Sequence, residues 1–147
     1  MHILLTGGTG LIGRALCAHW TEQGHRLTVW SRQPGKVAAL CGADVRGIAR
    51  LEELGEEPLD AVINLAGASL NGKRWSEAYK REMVASRLDT TAAVVGLCRR
   101  LSRPPSVLVS ASAIGYYGDR GDETLDEASS MGEGFSAELC RDWEAAA

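Results

Sequence analysis

Thr6-Gly7-Gly8-Thr9-Gly10-Leu11-Ile12-Gly13 is the stretch whose reading decides the fold. It follows an apolar run, His2 to Thr6, that reads as a strand, and it opens Leu11 to Gln23, whose apolar residues recur at helical spacing until Gly24 stops them. Glycines set between a strand and a helix carry a mechanism that a bare glycine pattern lacks. Gly7 permits a tight turn, Gly10 has no side chain to hold a diphosphate away from the backbone, and Gly13 lets the helix lie close on the strand. The free N–H groups of the first helical turn and the positive end of the helix dipole then face an anion. The plain alternative is a glycine turn that binds nothing. A P-loop is excluded because no Gly-Lys-Ser/Thr follows.

Outward from this turn, strand and helix signals alternate, the pattern of a parallel sheet covered on both faces. Arg26 to Ser31 reads as strand 2, Pro34 to Leu40 as a short helix, Asp44 to Ile48 as a weak strand 3 and Arg50 to Leu54 as a one-turn crossover. Ala61 to Ala66 is a buried-looking strand 4. A long helix follows from Trp75, with Ser76 as a plausible cap, to Leu101; Pro104-Pro105 ends it and Ser106 to Ser112 is strand 5. Ala113 to Gly134 is a loop long enough to suggest a functional or disordered segment, and Phe135 to Ala147 is again helical. The fold class expected is α/β, a Rossmann-like doubly wound parallel sheet of order 3-2-1-4-5, taken as one domain over residues 1–147. Such sheets usually continue to a sixth strand. The expectation is therefore the N-terminal part of a longer protein, truncated before strand 6, with a C-terminal substrate-binding part absent and strand 5 left as an edge.

Composition narrows the function classes. The 147 residues suit one domain, with 45% apolar and 24% charged residues, ordinary for a globular protein. A net charge of -3 and 5% aromatic residues recommend neither nucleic acid nor an anionic membrane. No apolar run reaches membrane-spanning length and no signal-peptide pattern opens the chain, so the expected compartment is cytoplasmic. Cys17, Cys41, Cys98 and Cys140 form no C-x-x-C pair; reduced thiols are expected, with Cys17 and Cys98 as packing residues. His2, His19 and His25 lack metal-ligand spacing, and no metal site is expected.

The end of strand 2 selects between dinucleotides. NAD proteins place a carboxylate about 20 residues beyond the glycines to bind the adenosine ribose. Here the residues are Ser31-Arg32-Gln33-Pro34, with a hydroxyl and a guanidinium where the acid would stand. Arg32 can pair with a 2′-phosphate that an acid would repel, which favours NADP(H) as cofactor. The alternative is a solvated loop arginine.

Together TGGTGLIG, SRQP, INLAG, KRW, SRLDTT and SASAIGYYGDRGDE resemble the extended short-chain dehydrogenase/reductase superfamily, and within it the atypical nucleoside-diphosphate-sugar epimerase-like group. The resemblance covers essentially the whole chain. It implies that Gly7, Thr9, Gly10, Leu11 and Ile12 surround the pyrophosphate, that Ser31 and Arg32 meet the 2′-phosphate, and that Leu65, Ala66 and Gly67 line the adenosine and ribose with backbone. Glu82 and Arg87 on the long helix are further candidates, with a surface ion pair as the alternative.

The same resemblance implies a hydroxyl after strand 5 and a downstream Tyr-x-x-x-Lys that exchanges a proton as hydride moves at the nicotinamide. Ser112, beside Ser110, fits the hydroxyl, unless it is merely a strand-end serine. The dyad does not fit. Phe135 or Ser136 falls at the tyrosine position, Leu139 or Cys140 at the lysine position, and no lysine follows Lys80. Tyr116 or Tyr117 is a candidate displaced acid, with aromatic packing as the alternative. Asp119 to Glu123 reads equally as cleft lining or solvated surface. Lys73-Arg74-Trp75 reads as a cation–π or anion site, or as a packed tryptophan flanked by solvated bases.

Three functions compete. The first is an NADP(H)-binding, epimerase-like or oxidoreductase-like enzyme acting on an unknown small molecule, nucleotide-linked or otherwise. The second is a non-catalytic NADP(H)-binding or sensing protein, and the third a structural subunit with an inherited glycine turn. By family analogy the apolar stretch Ala92 to Leu97 suggests a homodimer, with packing on the sheet as the alternative.

Overall fold

The computed structural model describes residues 1–147. The chain divides into two compact units, Met1–Gly67 with Ala93–Val109, and Ala68–Ala92 with Ser110–Ala147.

In the first unit the strands are β1 (His2–Thr6), β2 (Arg26–Trp30), β3 (Arg46–Ile48), β4 (Ala61–Asn64) and β5 (Val107–Ser110), in the order β3-β2-β1-β4-β5. β1 pairs in parallel with β2 and β4, and β2 with β3. This is the Rossmann-like arrangement expected from the alternating signals. Every residue of β1 and β4 is buried, which is why these strands read as unbroken apolar runs rather than alternating ones. Successive side chains point to opposite faces. Ile3 and Leu5 join Val29, Ala61 and Ile63 in a core shared with Cys17 of α1 (Leu11–Glu22) and with Val37 and Cys41 of α2 (Val37–Cys41). Leu4 and Val62 join a second core with Ile48, Leu51 and Leu54, and with Val94 and Leu97 of α3 (Glu77–Arg100).

The second unit contains the first two-thirds of α3, a 3-10 turn at Ile114–Tyr117 and α4 (Phe135–Ala145). Its apolar cluster is small: Tyr79, Met83 and Leu139, flanked by Val84, Leu88 and Phe135.

Element ends shift from the sequence reading for local reasons. β4 stops at Asn64, not Ala66: the Leu65 amide is shared between the Thr6 carbonyl at 3.3 Å and its hydroxyl at 3.1 Å, and the Ala66 amide donates to that hydroxyl at 3.0 Å. α3 starts at Glu77, since Ser76 accepts the Tyr79 amide at 3.2 Å as an N-cap. The short second helix opens as a 3-10 turn at Pro34–Lys36 and runs on to Cys41, where Gly42 at φ +123° ends it. β2, β3 and β5 are each shorter than expected. Val94 and Leu97 have no exposed surface. The apolar face expected from Ala92 to Leu97 is thus packed on the chain's own sheet. No helix is long and apolar enough to cross a membrane, and all four cysteines are free thiols.

Candidate functional site

Register sets the geometry. Thr6 lies opposite Trp30 on one side and Asn64 on the other. Gly7, Ser31 and Leu65 therefore leave three neighbouring parallel strands at one level of the carboxyl edge, where this sheet type binds ligands. Thr6 ties two of the three exits together. Its hydroxyl donates to Asn64 Oδ1 at 2.6 Å while accepting the Leu65 and Ala66 amides. Those amides are thereby engaged, and Leu65 to Gly67 offer a ligand carbonyls and a bare glycine.

The turn is packed from below and open above. Gly7 has φ +67°, and a Cβ there would meet the Leu65 carbonyl carbon and oxygen at 2.7 Å. A Cβ on Gly13 would lie 2.4 Å from the Gly7 carbonyl oxygen and 2.5 Å from Gly8 Cα. The close helix approach thus excludes any side chain at position 13. Gly10 differs, because its Cβ would meet only the Gly7 oxygen, at 3.2 Å. Gly10 is also the N-cap and offers no side-chain cap, so the first-turn amides of α1 keep the donors that a helix start leaves unused. Leu11 and Ile12 beside them are 82% and 63% exposed.

At the second exit, Ser31 remains tied to the sheet through its amide, which donates to Ile48 O at 3.0 Å, and its hydroxyl accepts the Gln33 amide at 3.1 Å. Arg32 is exposed, and no acid lies between Ser31 and Pro34.

The other sequence candidates lie in the second unit, where they form a different kind of environment. Glu82 and Arg87 do not form the ion pair weighed for them. Glu82 pairs with Lys73 at 3.2 Å. Arg87 is 9% exposed and donates to the carbonyls of Met83 and Ala68 at 3.1 and 3.2 Å, with its guanidinium 5.1 Å from the Trp143 ring centroid. Burial pulls its pKa down, against the influence of Cys140 and Tyr79 nearby. Trp143 donates to the Thr91 hydroxyl at 3.1 Å, and that hydroxyl donates back to the Arg87 carbonyl at 2.8 Å.

Ser112 donates to the carboxylate of Glu144 on α4. Nothing in the sequence pattern singles out Glu144, because the pair is 32 residues apart and only the tertiary fold joins it. Tyr116 sits in the 3-10 turn, its ring edge-on to Tyr117 at 5.3 Å. At the positions weighed for the dyad, Phe135 packs against Trp75 at 5.8 Å, and Leu139 and Cys140 are buried. Burial pushes the Cys140 thiol pKa up, so at neutral pH this group is uncharged and does not replace an ammonium. Lys73 lies 5.1 Å over Tyr79, not over Trp75, which stays 42% exposed and donates to Leu70 O at 2.8 Å. In the loop, Arg120 pairs with Glu123 at 2.8 Å, so part of the Asp119 to Glu123 charge run is matched internally.

Residues 3–136 match the model of the NAD dependent epimerase/dehydratase family. The chain is 38% identical to the chloroplastic epimerase family protein SDR39U1 homolog of Arabidopsis thaliana, over all of this chain and 44% of that protein. It is 34% identical to the human epimerase family protein SDR39U1, over all of this chain and 49% of that one. The crystal structure of human SDR39U1 (isoform 2) with NADPH superposes with a TM-score of 0.82 at 32% identity, covering 99% of this chain and 48% of that one. The chain spans about half the length of the curated relatives it matches. The glycine turn, the strand order and these matches agree: the chain belongs to the NAD dependent epimerase/dehydratase family.

Proposed function

We propose that this chain binds NADP(H), with the diphosphate over the glycine turn and the adenosine 2′-phosphate against Ser31 and Arg32. The observation that carries the reading is the shared level at which Gly7, Ser31 and Leu65 leave their strands. Gly10 leaves room above the turn, Thr9 and the first-turn amides through Gly13 supply donors, and Leu11 and Ile12 offer exposed apolar surface to a ligand. Leu65, Ala66 and Gly67 present backbone to the adenosine side. Arg87 contributes by fixing the carbonyl of Ala68, the residue after Gly67. The relative solved with NADPH supports the choice of coenzyme. Calorimetric titration tests the reading. Wild type should prefer NADPH to NADH by about tenfold or more, the scale of a charge-assisted guanidinium–phosphate pair, and Arg32→Asp should reverse the order. A protein that takes up neither coenzyme sinks it.

When bound, a nicotinamide supplies hydride transfer. The family suggests epimerase-like or oxidoreductase-like chemistry on a nucleotide-linked substrate, with Ser112 at the place of the family's hydroxyl and Tyr116 as a displaced acid outside the family pattern. Ser112 donates its hydroxyl proton to an exposed carboxylate, Glu144. One observation favours the second reading, a protein that binds NADP(H) without turnover: buried Leu139 and Cys140 occupy the dyad region and carry no charge. Incubation with NADP⁺ and a panel of nucleoside-diphosphate sugars, followed by coenzyme absorbance and sugar composition, separates the two. Coenzyme reduction or a new sugar epimer that falls in Ser112→Ala and Tyr116→Phe supports catalysis, and unchanged coenzyme and sugars throughout support binding alone.

We also propose that a second copy docks along α3. A groove of about 400 Å³ is lined by Val84, Ala85, Leu88 and Phe135, with Lys80 and Asp89 among its charged residues. A second copy seated on this strip would cover the apolar surface of Val84, Ala85 and Leu88 between the flanking charges. This places the interface N-terminal to the buried Val94 and Leu97. Sedimentation should show a dimer that a charge in the middle of the strip, Ala85→Glu, dissociates. A monomer at all concentrations overturns the pairing.

A further inference from the structure

We propose that Cys41 is a positioning residue for the glycine turn: its thiol anchors the Gly8 carbonyl and so fixes the direction of the Thr9 amide. This rests on the dinucleotide reading above and adds a residue that neither the glycine spacing nor the family pattern names.

Cys41 ends α2 and is 5% exposed, in the same core as Cys17, Val29 and Val37. Its Sγ donates to the Gly8 carbonyl oxygen at 3.3 Å across 33 residues of sequence, in a buried bond. The chain contains no cis peptide. In a trans peptide the carbonyl and the following N–H point to opposite sides. Holding the Gly8 oxygen down in the core therefore holds the Thr9 N–H on the opposite side of the peptide plane.

The turn needs such an anchor. Position 8 tolerates no side chain, because a Cβ would meet Val29 Cγ2 at 2.6 Å. It is thus restricted to the residue whose backbone is freest to rotate. Gly7 is restrained by the Gly10 amide, which donates to its carbonyl at 3.0 Å; for the next peptide the restraint is the thiol. Cys17 supports it from behind. Burial, with Cys41 beside it, pushes the Cys17 pKa up to about 12. Cys17 thus keeps its proton and sets no negative charge beside the Cys41 thiol.

The test uses the full chain as wild type, Cys41→Ala, Cys41→Ser and Cys17→Ala. Each protein is titrated with NADPH, and exchange of the Thr9 amide is followed by NMR. Cys41→Ala should bind NADPH about three- to tenfold more weakly, the fold-change of one neutral hydrogen bond. Cys41→Ser keeps a donor and should stay within about twofold of wild type. Cys17→Ala should change affinity less than Cys41→Ala. Thr9 exchange should rise in Cys41→Ala and not in Cys41→Ser. Wild-type affinity and exchange in Cys41→Ala overturn the proposal, and so does a serine variant as impaired as the alanine one. Should wild type bind neither coenzyme, the dinucleotide reading fails by itself. The Thr9 exchange comparison then still decides whether the thiol anchors the turn.

Discussion

The glycine-turn edge and the α4 region are built from different materials. The first is backbone: amides and carbonyls placed by strand register, on a sheet filled from both sides by Leu, Ile and Val. The second is side chains: a small cluster of Tyr79, Met83 and Leu139, with buried Arg87 beside Trp143 and Thr91. Backbone sites tolerate change in almost any residue except the glycines that make room for them. Side-chain sites can be rewritten one residue at a time while the helices stay. A glycine-turn edge can therefore persist in a chain whose dyad positions hold Phe135 and Leu139, or Ser136 and Cys140.

The strongest way to break this contrast is to put a methyl group where backbone meets backbone. In Gly13→Ala the new Cβ would lie 2.4 Å from the Gly7 oxygen and 2.7 Å from the Gly8 carbonyl carbon. Neither atom can move without moving the turn. We expect a loss of about 3 kcal/mol in urea unfolding, the upper range for overpacking, together with loss of NADPH binding. Gly96→Ala is the matched control. Nothing lies within 4 Å of its added Cβ, so a helical alanine should add about 0.5–1 kcal/mol. Equal responses at the two glycines would mean that the close approach at Gly13 is not what holds the turn.

A smaller effect is expected in the second unit. Arg87→Ala removes two hydrogen bonds to carbonyls and the contact with Trp143, and opens a cavity. A loss of about 2–3 kcal/mol is expected, less than a paired buried charge would give, because the acceptors are neutral. Amide exchange should rise most along α4, around Leu139 to Trp143. If the unfolding midpoint does not move, Arg87 is not a structural member of this interior, and its burial then serves a ligand alone.

The same contrast explains what could be read from the chain. Strand order, the glycine turn and the Ser76 cap follow from local patterns: an apolar run, glycines at fixed offsets, a hydroxyl before a helix. The Ser112–Glu144 bond, the Cys41–Gly8 bond and the Arg87–Ala68 bond join residues 32, 33 and 19 apart. No propensity or period encodes such pairs. Arg87 shows the failure clearly. In an i, i+4 scheme an arginine on a helix reads as exposed, and only the arrangement of Trp143 and Ala68 around it turns it inward. The C-terminal end of β4 is hidden for a related reason, since AVINLA looks uniformly strand-like and the Ala66 amide goes instead to the Thr6 hydroxyl, 60 residues away.

The smallest effect probes the far end of the same sheet. His2 begins β1, is 7% exposed, and bridges two partners. Its Nδ1 lies 3.0 Å from the Pro58 carbonyl and its Nε2 lies 2.9 Å from the Thr28 hydroxyl. A carbonyl can only accept, so Nδ1 carries the proton and Nε2 accepts from Thr28 in the neutral ring. Burial lowers the His2 pKa from 6.5, the Pro58 bond opposes this, and Arg26 and Arg46 reinforce it against Glu57. A base whose folded pKa is depressed binds fewer protons in the folded state. Its contribution is therefore complete above 6.5 and is lost as pH falls from there towards the folded value. Glu57, held down chiefly by Arg46, and Asp60, held down chiefly by the His2 amide, add losses in the same direction only below their ordinary values of 4.5 and 3.8. Between pH 6.5 and 5 the slope belongs to His2, at most about 1.4 kcal/mol per pH unit for one proton. Urea midpoints for wild type should fall across that interval, and those of His2→Gln should stay nearly level until the carboxylates titrate. Parallel curves for the two proteins would remove His2 from the acid sensitivity of the sheet.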